Sequence, residues 1–148
     1  MRNIFTFFLL MNFFICSAQT FSLQELETYA KYDFEKFTSQ VLGKGYEFYT
    51  IKDENVWFQY TATSVKHIYG LVFNSDFISY TTTYKTNYTS LDNSLKSSGY
   101  KYTHSDNSSD RVCYLYEKPG YTIRKCLSTL DDKTPVYVFR IIPQNNTK

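Results

Sequence analysis

The chain has little of what most chemistry is built from. It contains two histidines and three cysteines. It carries no H-E-x-x-H, G-x-S-x-G, G-x-G-x-x-G or phosphate-loop pattern, so none of the local signatures of a metalloprotease, a serine hydrolase, a dinucleotide site or a nucleotide-triphosphate site is present. The cysteines lack zinc-site spacing, and Asp131-Asp132 lacks the alternating ligands of a calcium loop. No metal and no cofactor is therefore expected. The 16 basic and 14 acidic residues are scattered without a basic stripe, which argues against a nucleic-acid partner. No apolar run reaches the roughly 20 residues that a membrane-spanning helix needs.

The longest apolar run lies at the start. Arg2 supplies a positive n-region, Ile4–Ile15 is mostly apolar, and Cys16 and Ala18 are small residues placed for cleavage before Gln19. Residues 1–18 read as a secretory signal peptide. The run is too short for an anchor, and Ile15 is too bulky before Cys16 for a lipoprotein signal. The expectation is an exported protein, periplasmic or extracellular, with no membrane span after cleavage. The remaining 130 or so residues suit one compact domain.

What the chain has in abundance is aromatic side chains, 20% of all residues, with 15 Tyr and 13 Phe. It also echoes itself. Asp33–Thr50 (DFEKFTSQVLGKGYEFYT) and Asn87–His104 (NYTSLDNSLKSSGYKYTH) align at an offset of 54 residues. Phe34 falls on Tyr88, Phe37 on Leu91, Val41 on Leu95, Gly45-Tyr46 on Gly99-Tyr100, and Phe48 on Tyr102. Repetition of this kind fixes architecture before any local reading does.

Periodicity fills in the units. Ser22 with Glu25 forms an S-x-x-E capping box ahead of Leu23, Leu26 and Ala30, and predicts a helix to about Tyr32. Asp33 caps a second helix that stops near Gly43 or Gly45, and Asn87 is the expected cap of its twin, which ends at Ser97-Ser98-Gly99. The apolar period then drops from about 3.6 to 2 in both units. Tyr46, Phe48 and Thr50 are expected on one strand face, and so are Tyr100, Tyr102 and His104. Polar turns follow at Lys52–Asn55 and Ser105–Asp110. Further strands are expected at Val56–Ala62, Val65–Phe73, Phe77–Tyr84, Arg111–Glu117, Tyr121–Ser128 and Val136–Ile142. The predicted fold is α+β: two tandem units, 19–85 and 86–148, each a helix followed by a four-stranded antiparallel meander, with an extra N-terminal helix.

Register gives the sharpest expectation. Pro119-Gly120 is a strong two-residue turn, so partners across that hairpin have numbers summing to 239, and Cys113 stands opposite Cys126. Counted outward from the turn, that pair is non-hydrogen-bonded, the kind that brings side chains closest. A cross-strand disulfide is predicted, in keeping with an oxidising compartment.

No catalytic residue is assigned. His67 shares a strand face with Val65, Tyr69, Leu71 and Phe73, as a packed core imidazole would. His104 lies beside Ser105 and Asp106, but triads are assembled in space, not in sequence. Of the carboxylates, Asp53, Glu54, Asp106 and Asp110 lie in strand-end loops and are read as solvated turn residues. Asn87, Asn107 and Asn145 open N-x-[ST] sequons, which matter only in a glycosylating host.

The stretch SLQELETYAKYDFEKFTSQVLGKGYEFY is similar to the start of small exported proteins of flavobacterial-type bacteria, through the helix–Gly-Tyr–strand junction. The tandem helix-plus-four-strand layout resembles that of secreted β-lactamase inhibitor proteins; the units here are shorter and no inhibitory residue matches. The layout implies a class of function at most, inhibitor-like or immunity-like binding. Export, the absence of catalytic motifs and a tandem sheet too broad for the two main helices to shield completely point to a non-enzymatic module that grips another extracytoplasmic protein through an aromatic-rich sheet face. Trp57, Tyr60, Tyr80, Tyr84, Tyr114 and Tyr116 are the candidate contact residues. The alternatives are a small-ligand or glycan site in a cleft between the units and, further off, a small hydrolase using His67 or His104 with a carboxylate.

Overall fold

A computed structural model describes residues 20–60, 69–108 and 110–144. The signal-peptide segment, His67, the strand residues expected at 61–62 and 65–68, and the sequon at Asn145 lie outside the described residues. The elements run α1 (Leu23–Tyr29), α2 (Phe34–Gly43), β1 (Tyr46–Lys52), β2 (Asn55–Tyr60), β3 (Tyr69–Asn74), β4 (Phe77–Thr82), α3 (Lys85–Ser97), β5 (Lys101–Ser108), β6 (Arg111–Lys118), β7 (Tyr121–Thr129) and β8 (Pro135–Pro143). This is an α+β fold with one eight-stranded antiparallel sheet of order β1-β2-β3-β4-β8-β7-β6-β5. Each run of four strands pairs in sequence order, and the two runs meet at β4 and β8.

The helix starts follow local chemistry. The Ser22 hydroxyl accepts from the Glu25 amide, and the Glu25 carboxylate accepts from the Ser22 amide at 2.8 Å, a complete capping box. Asp33 accepts from the Lys36 amide at 2.8 Å and caps α2. The expectation at Asn87 needs correction. Helix α3 is capped three residues earlier, at Tyr84, with no side-chain cap bond. Asn87 lies inside the helix, and its amide donates to the Tyr80 hydroxyl at 3.2 Å. A partner across the core took the side chain that the sequence offered as a cap.

All three helices of the described residues lie on one face of the sheet. Leu23, Leu26 and Tyr29 of α1, Phe37 and Val41 of α2, and Leu91 and Leu95 of α3 are buried with Tyr46, Phe58, Leu71, Ile78, Tyr80, Ile123, Phe139 and Ile141 of the strands. Tyrosine fills much of this core because its ring packs as a large apolar body while its hydroxyl finds a partner. Tyr100 donates to Glu27 at 2.9 Å, and Tyr121 donates to the Glu27 carbonyl at 3.1 Å. Lys118 adds an ion pair to the same carboxylate at 2.6 Å. Helix α1 is thereby tied to Tyr100, just ahead of the second meander, and to Lys118 and Tyr121 at its β6–β7 turn.

The first strand of each meander breaks register once, between Phe48 and Thr50 in β1 and between Tyr102 and His104 in β5. The two breaks are 54 residues apart, the offset of the sequence echo. One extra residue in a strand reverses which face every later side chain takes. Thr50 and His104 therefore do not share a face with Phe48 and Tyr102, as strict alternation predicted; Ile51 takes the helix side in β1, opposite Val56. The expected turn at Ser105–Asp110 is also shorter than read, since β5 continues to Ser108.

Candidate functional site

The β6–β7 hairpin forms in the register that the Pro119-Gly120 turn dictates, from Lys118 opposite Tyr121 to Arg111 opposite Ser128. Gly120 at the tip has φ +87°, which glycine alone adopts freely. Cys113 and Cys126 are direct partners with Cα atoms 4.0 Å apart, and their sulfurs are bonded at 2.07 Å. The short Cα separation is that of a non-hydrogen-bonded pair.

Register also sorts the six candidate aromatics by face. Tyr60 and Tyr116 pack against the core on the helix side, and Tyr114, two residues from Tyr116, shares that side. Tyr80 is wholly buried (0% exposed), in the strand that abuts β8. Tyr84 sits before α3, its ring stacked on Tyr69 at 4.8 Å. Tyr80 is thus core, and Tyr60, Tyr84, Tyr114 and Tyr116 are half-buried on the helix side. Trp57 alone of the six points away from the helices and is exposed. Helices cover the face that carries the tyrosines because that face is the more apolar one. An uncovered tyrosine-rich face is not what the sheet presents.

Large apolar side chains are instead exposed at one edge. Strand β1 is outermost among the described residues, and its Phe48, Tyr49 and Ile51 are each more than half exposed. Phe34 at the start of α2 is also nearly half exposed, and it contacts Phe73 of β3 with ring centroids 5.4 Å apart. Phe48 meets Phe58 edge-on at 6.3 Å. Sequence reasoning missed this patch, although a signal was there. Residues 46–51, Tyr-Glu-Phe-Tyr-Thr-Ile, place apolar groups on both faces, which only a bulge at Tyr49 reconciles with a one-sided core. The opposite edge, β5, reads Lys-Tyr-Thr-His-Ser-Asp-Asn-Ser and is exposed throughout. It carries charge, hydroxyls and a single exposed tyrosine, Tyr102, where β1 carries Phe48, Tyr49 and Ile51.

The carboxylates expected in turns are found there or paired with arginine. Asp53 and Glu54 form the β1–β2 turn with φ of 49° and 64°. Asp106 accepts from Arg124 at 2.5 Å, and Asp110 from Arg111 at 3.4 Å. His104 is exposed opposite Leu115. Among the described residues, no group of three His, Cys, Asp or Glu side chains is placed to hold a metal ion. A hollow of about 480 Å³ lies where α1, α2 and α3 approach, lined by Phe21, Ser22, Glu25, Lys44, Asn87 and Ser90. Polar groups dominate it, and the Lys44–Glu25 pair at 2.7 Å already satisfies its charges.

Among the described residues, no helix is long and apolar enough to cross a membrane. Compared with known proteins, the chain matches no family model, no curated sequence and no solved structure.

Proposed function

We propose that this chain is an exported, non-enzymatic binding module built from two tandem helix-plus-four-strand units, and that it takes an extended segment of another extracytoplasmic protein along β1. The observation that carries the reading is the contrast between the two sheet edges. A free edge offers a row of unpaired N–H and C=O groups, and proteins ordinarily blunt it with charge, proline or a bulge. Both edges here carry a bulge, so mid-strand charge and apolar display are what differ. Strand β5 carries such charge at Asp106. Strand β1 has Glu47 and Lys52 only near its ends, and between them Phe48, Tyr49 and Ile51 are displayed. Strand addition there satisfies the backbone, while the exposed rings select apolar side chains on the incoming segment. The cross-strand disulfide suits an oxidising compartment, and the amino-terminal segment supports export.

A photoactivatable residue at position 49 tests this, with position 103, the bulge residue of the guarded edge, as control. Exposed to envelope or secreted extract, position 49 is expected to capture a partner of defined mass, and Ile51→Lys to abolish that capture. Ile51→Lys should change stability by no more than about 0.5 kcal/mol, since the site is solvent-exposed. Equal capture at both positions, or crosslinks only to a second copy of the chain, overturns the reading.

A further inference from the structure

The face turned away from the helices carries a feature that the edge does not explain. A hollow of about 280 Å³ opens over β6, β7 and β8; Arg111, Arg124 and Arg140 line it above Cys126 and Val138, with Ser128 and the carboxylate of Asp110 at its wall. Register brings the arginines together. Arg124 and Arg140 are direct cross-strand partners, and Arg111 lies opposite Ser128 two pairs further along the same face of β7. Like charges placed directly opposite each other in a sheet are destabilising, so this row is costly unless something else offsets it.

The protein's own carboxylates leave the offset incomplete. Asp106 engages Arg124 and Asp110 engages Arg111. Arg140 has no carboxylate partner among the described residues, and its guanidinium stacks on the Phe77 ring at 4.1 Å. Burial, aided by Arg124 and Arg111, lowers its pKa and so disfavours its charged form. The Nε of Arg124 is buried with no hydrogen-bond partner, a cost that a folded protein seldom leaves standing. An unbalanced positive charge in a concavity calls for an anion with several acceptor oxygens.

We propose that this hollow binds a compact tetrahedral oxyanion, sulfate or phosphate, as the free ion or as the ester terminus of a larger molecule. Guanidinium forks match such groups in charge and planar donor geometry. Three of them, on three adjacent strands, outnumber the two oxygens of a carboxylate but suit a group whose oxygens point in several directions. The site lies in the opposite half of the sheet from β1, so either proposal stands if the other fails.

Calorimetric titration of the disulfide-bonded protein at low ionic strength tests the assignment with sodium sulfate, sodium phosphate and sodium acetate. Sulfate and phosphate are expected to bind with one-to-one saturation, and acetate about tenfold more weakly or worse, the equivalent of a lost charge-assisted hydrogen bond. Arg140→Met keeps an apolar stem over Phe77 and should weaken sulfate binding by about tenfold or more. It should leave the melting temperature of the ligand-free protein unchanged or higher, because it removes the cross-strand repulsion. Arg111→Gln, at an exposed rim position that cannot unfold the sheet, should weaken binding as well. Glucose 6-sulfate and phosphoserine distinguish the sources: tighter binding than the inorganic ion assigns an ester terminus, and equal binding assigns the ion itself. Absence of saturable heat from either ion, or equal affinity in wild type and both variants, overturns the site. Acetate binding as tightly as sulfate overturns the tetrahedral assignment.

Discussion

Lys125 of β7 donates to Asp92 of α3 at 2.5 Å, with the lysine buried and the carboxylate largely so. Asp92 also accepts from Lys96, one turn along its helix, at 2.7 Å. The rings of Tyr88, Tyr114 and Tyr116 surround the Lys125 ammonium at 5.2 to 5.5 Å, so its charge is met by a carboxylate and by π-faces together. This pair clamps the third helix to the far meander.

Breaking one half of a buried pair leaves the other charge stranded. Asp92→Ala should therefore destabilise by about 3 kcal/mol or more, while Asp92→Leu combined with Lys125→Met should cost much less than the single change. Burial raises the Asp92 pKa, but Lys125 and Lys96 outweigh it and the net shift is downward from 3.8. The pair's contribution is then present above the ordinary carboxylate range and lost as pH falls through the lowered folded value. Burial lowers the Lys125 pKa, but Asp92 and Tyr88 outweigh it and raise it above 10.5. Its contribution is full below 10.5 and is lost as pH rises through the folded value. Denaturant unfolding of wild type and Asp92→Asn from pH 2 to 8 checks the acid limb: the stability gap should close toward pH 2. A gap independent of pH would refute the linkage.

The disulfide joins residues 13 apart in sequence, and on the loop-entropy model a loop of that size contributes about 3 kcal/mol. Reduction should lower the denaturation midpoint accordingly. Hydrogen exchange should quicken in β6 and β7 before β1–β4, because the crosslink holds one hairpin only. Intact mass should rise by about 2 Da on reduction. Two alkylatable thiols in protein from an oxidising compartment would contradict the pairing.

Gly45 and Gly99 occupy corresponding places ahead of the two meanders, with φ of +83° and +79°. Alanine is strained at either position by about 1–2 kcal/mol. The surroundings differ, however. A Cβ on Gly45 would lie 3.2 Å from the ring of Tyr60, itself wedged between Tyr46 and Tyr69, whereas one on Gly99 meets open space. Gly45→Ala should therefore be the more destabilising of the two by urea denaturation. Equal costs would show that the Tyr60 ring moves aside freely.

Much of the fold was legible because its signals act over a few residues. The capping box at Ser22 and Glu25, the Asp33 cap, the glycine stops and the Pro119-Gly120 turn each set local geometry, and through the turn the register that brings Cys113 to Cys126. The candidate sites were not legible in the same way. Of the six aromatics expected on an open face, only Trp57 points away from the helices, because the more apolar face is the one that the helices cover.

The sequence by itself determined the α+β element order, the hairpin register and the disulfide, since caps, turns and alternation are short-range and each residue type has few conformations that satisfy it. Tertiary structure alone decided which strands lie at the sheet's edges, which face the helices cover, and which distant side chains meet. The pairing of β7 with β8 sets Arg124 against Arg140, and the bulges at Tyr49 and Thr103 reverse the faces of the residues that follow. Burial, and with it the pairing of Lys125 with Asp92 and the exposure of Phe48 and Ile51, belongs to the assembled layers. No short window of sequence encodes which of its two faces another element will cover.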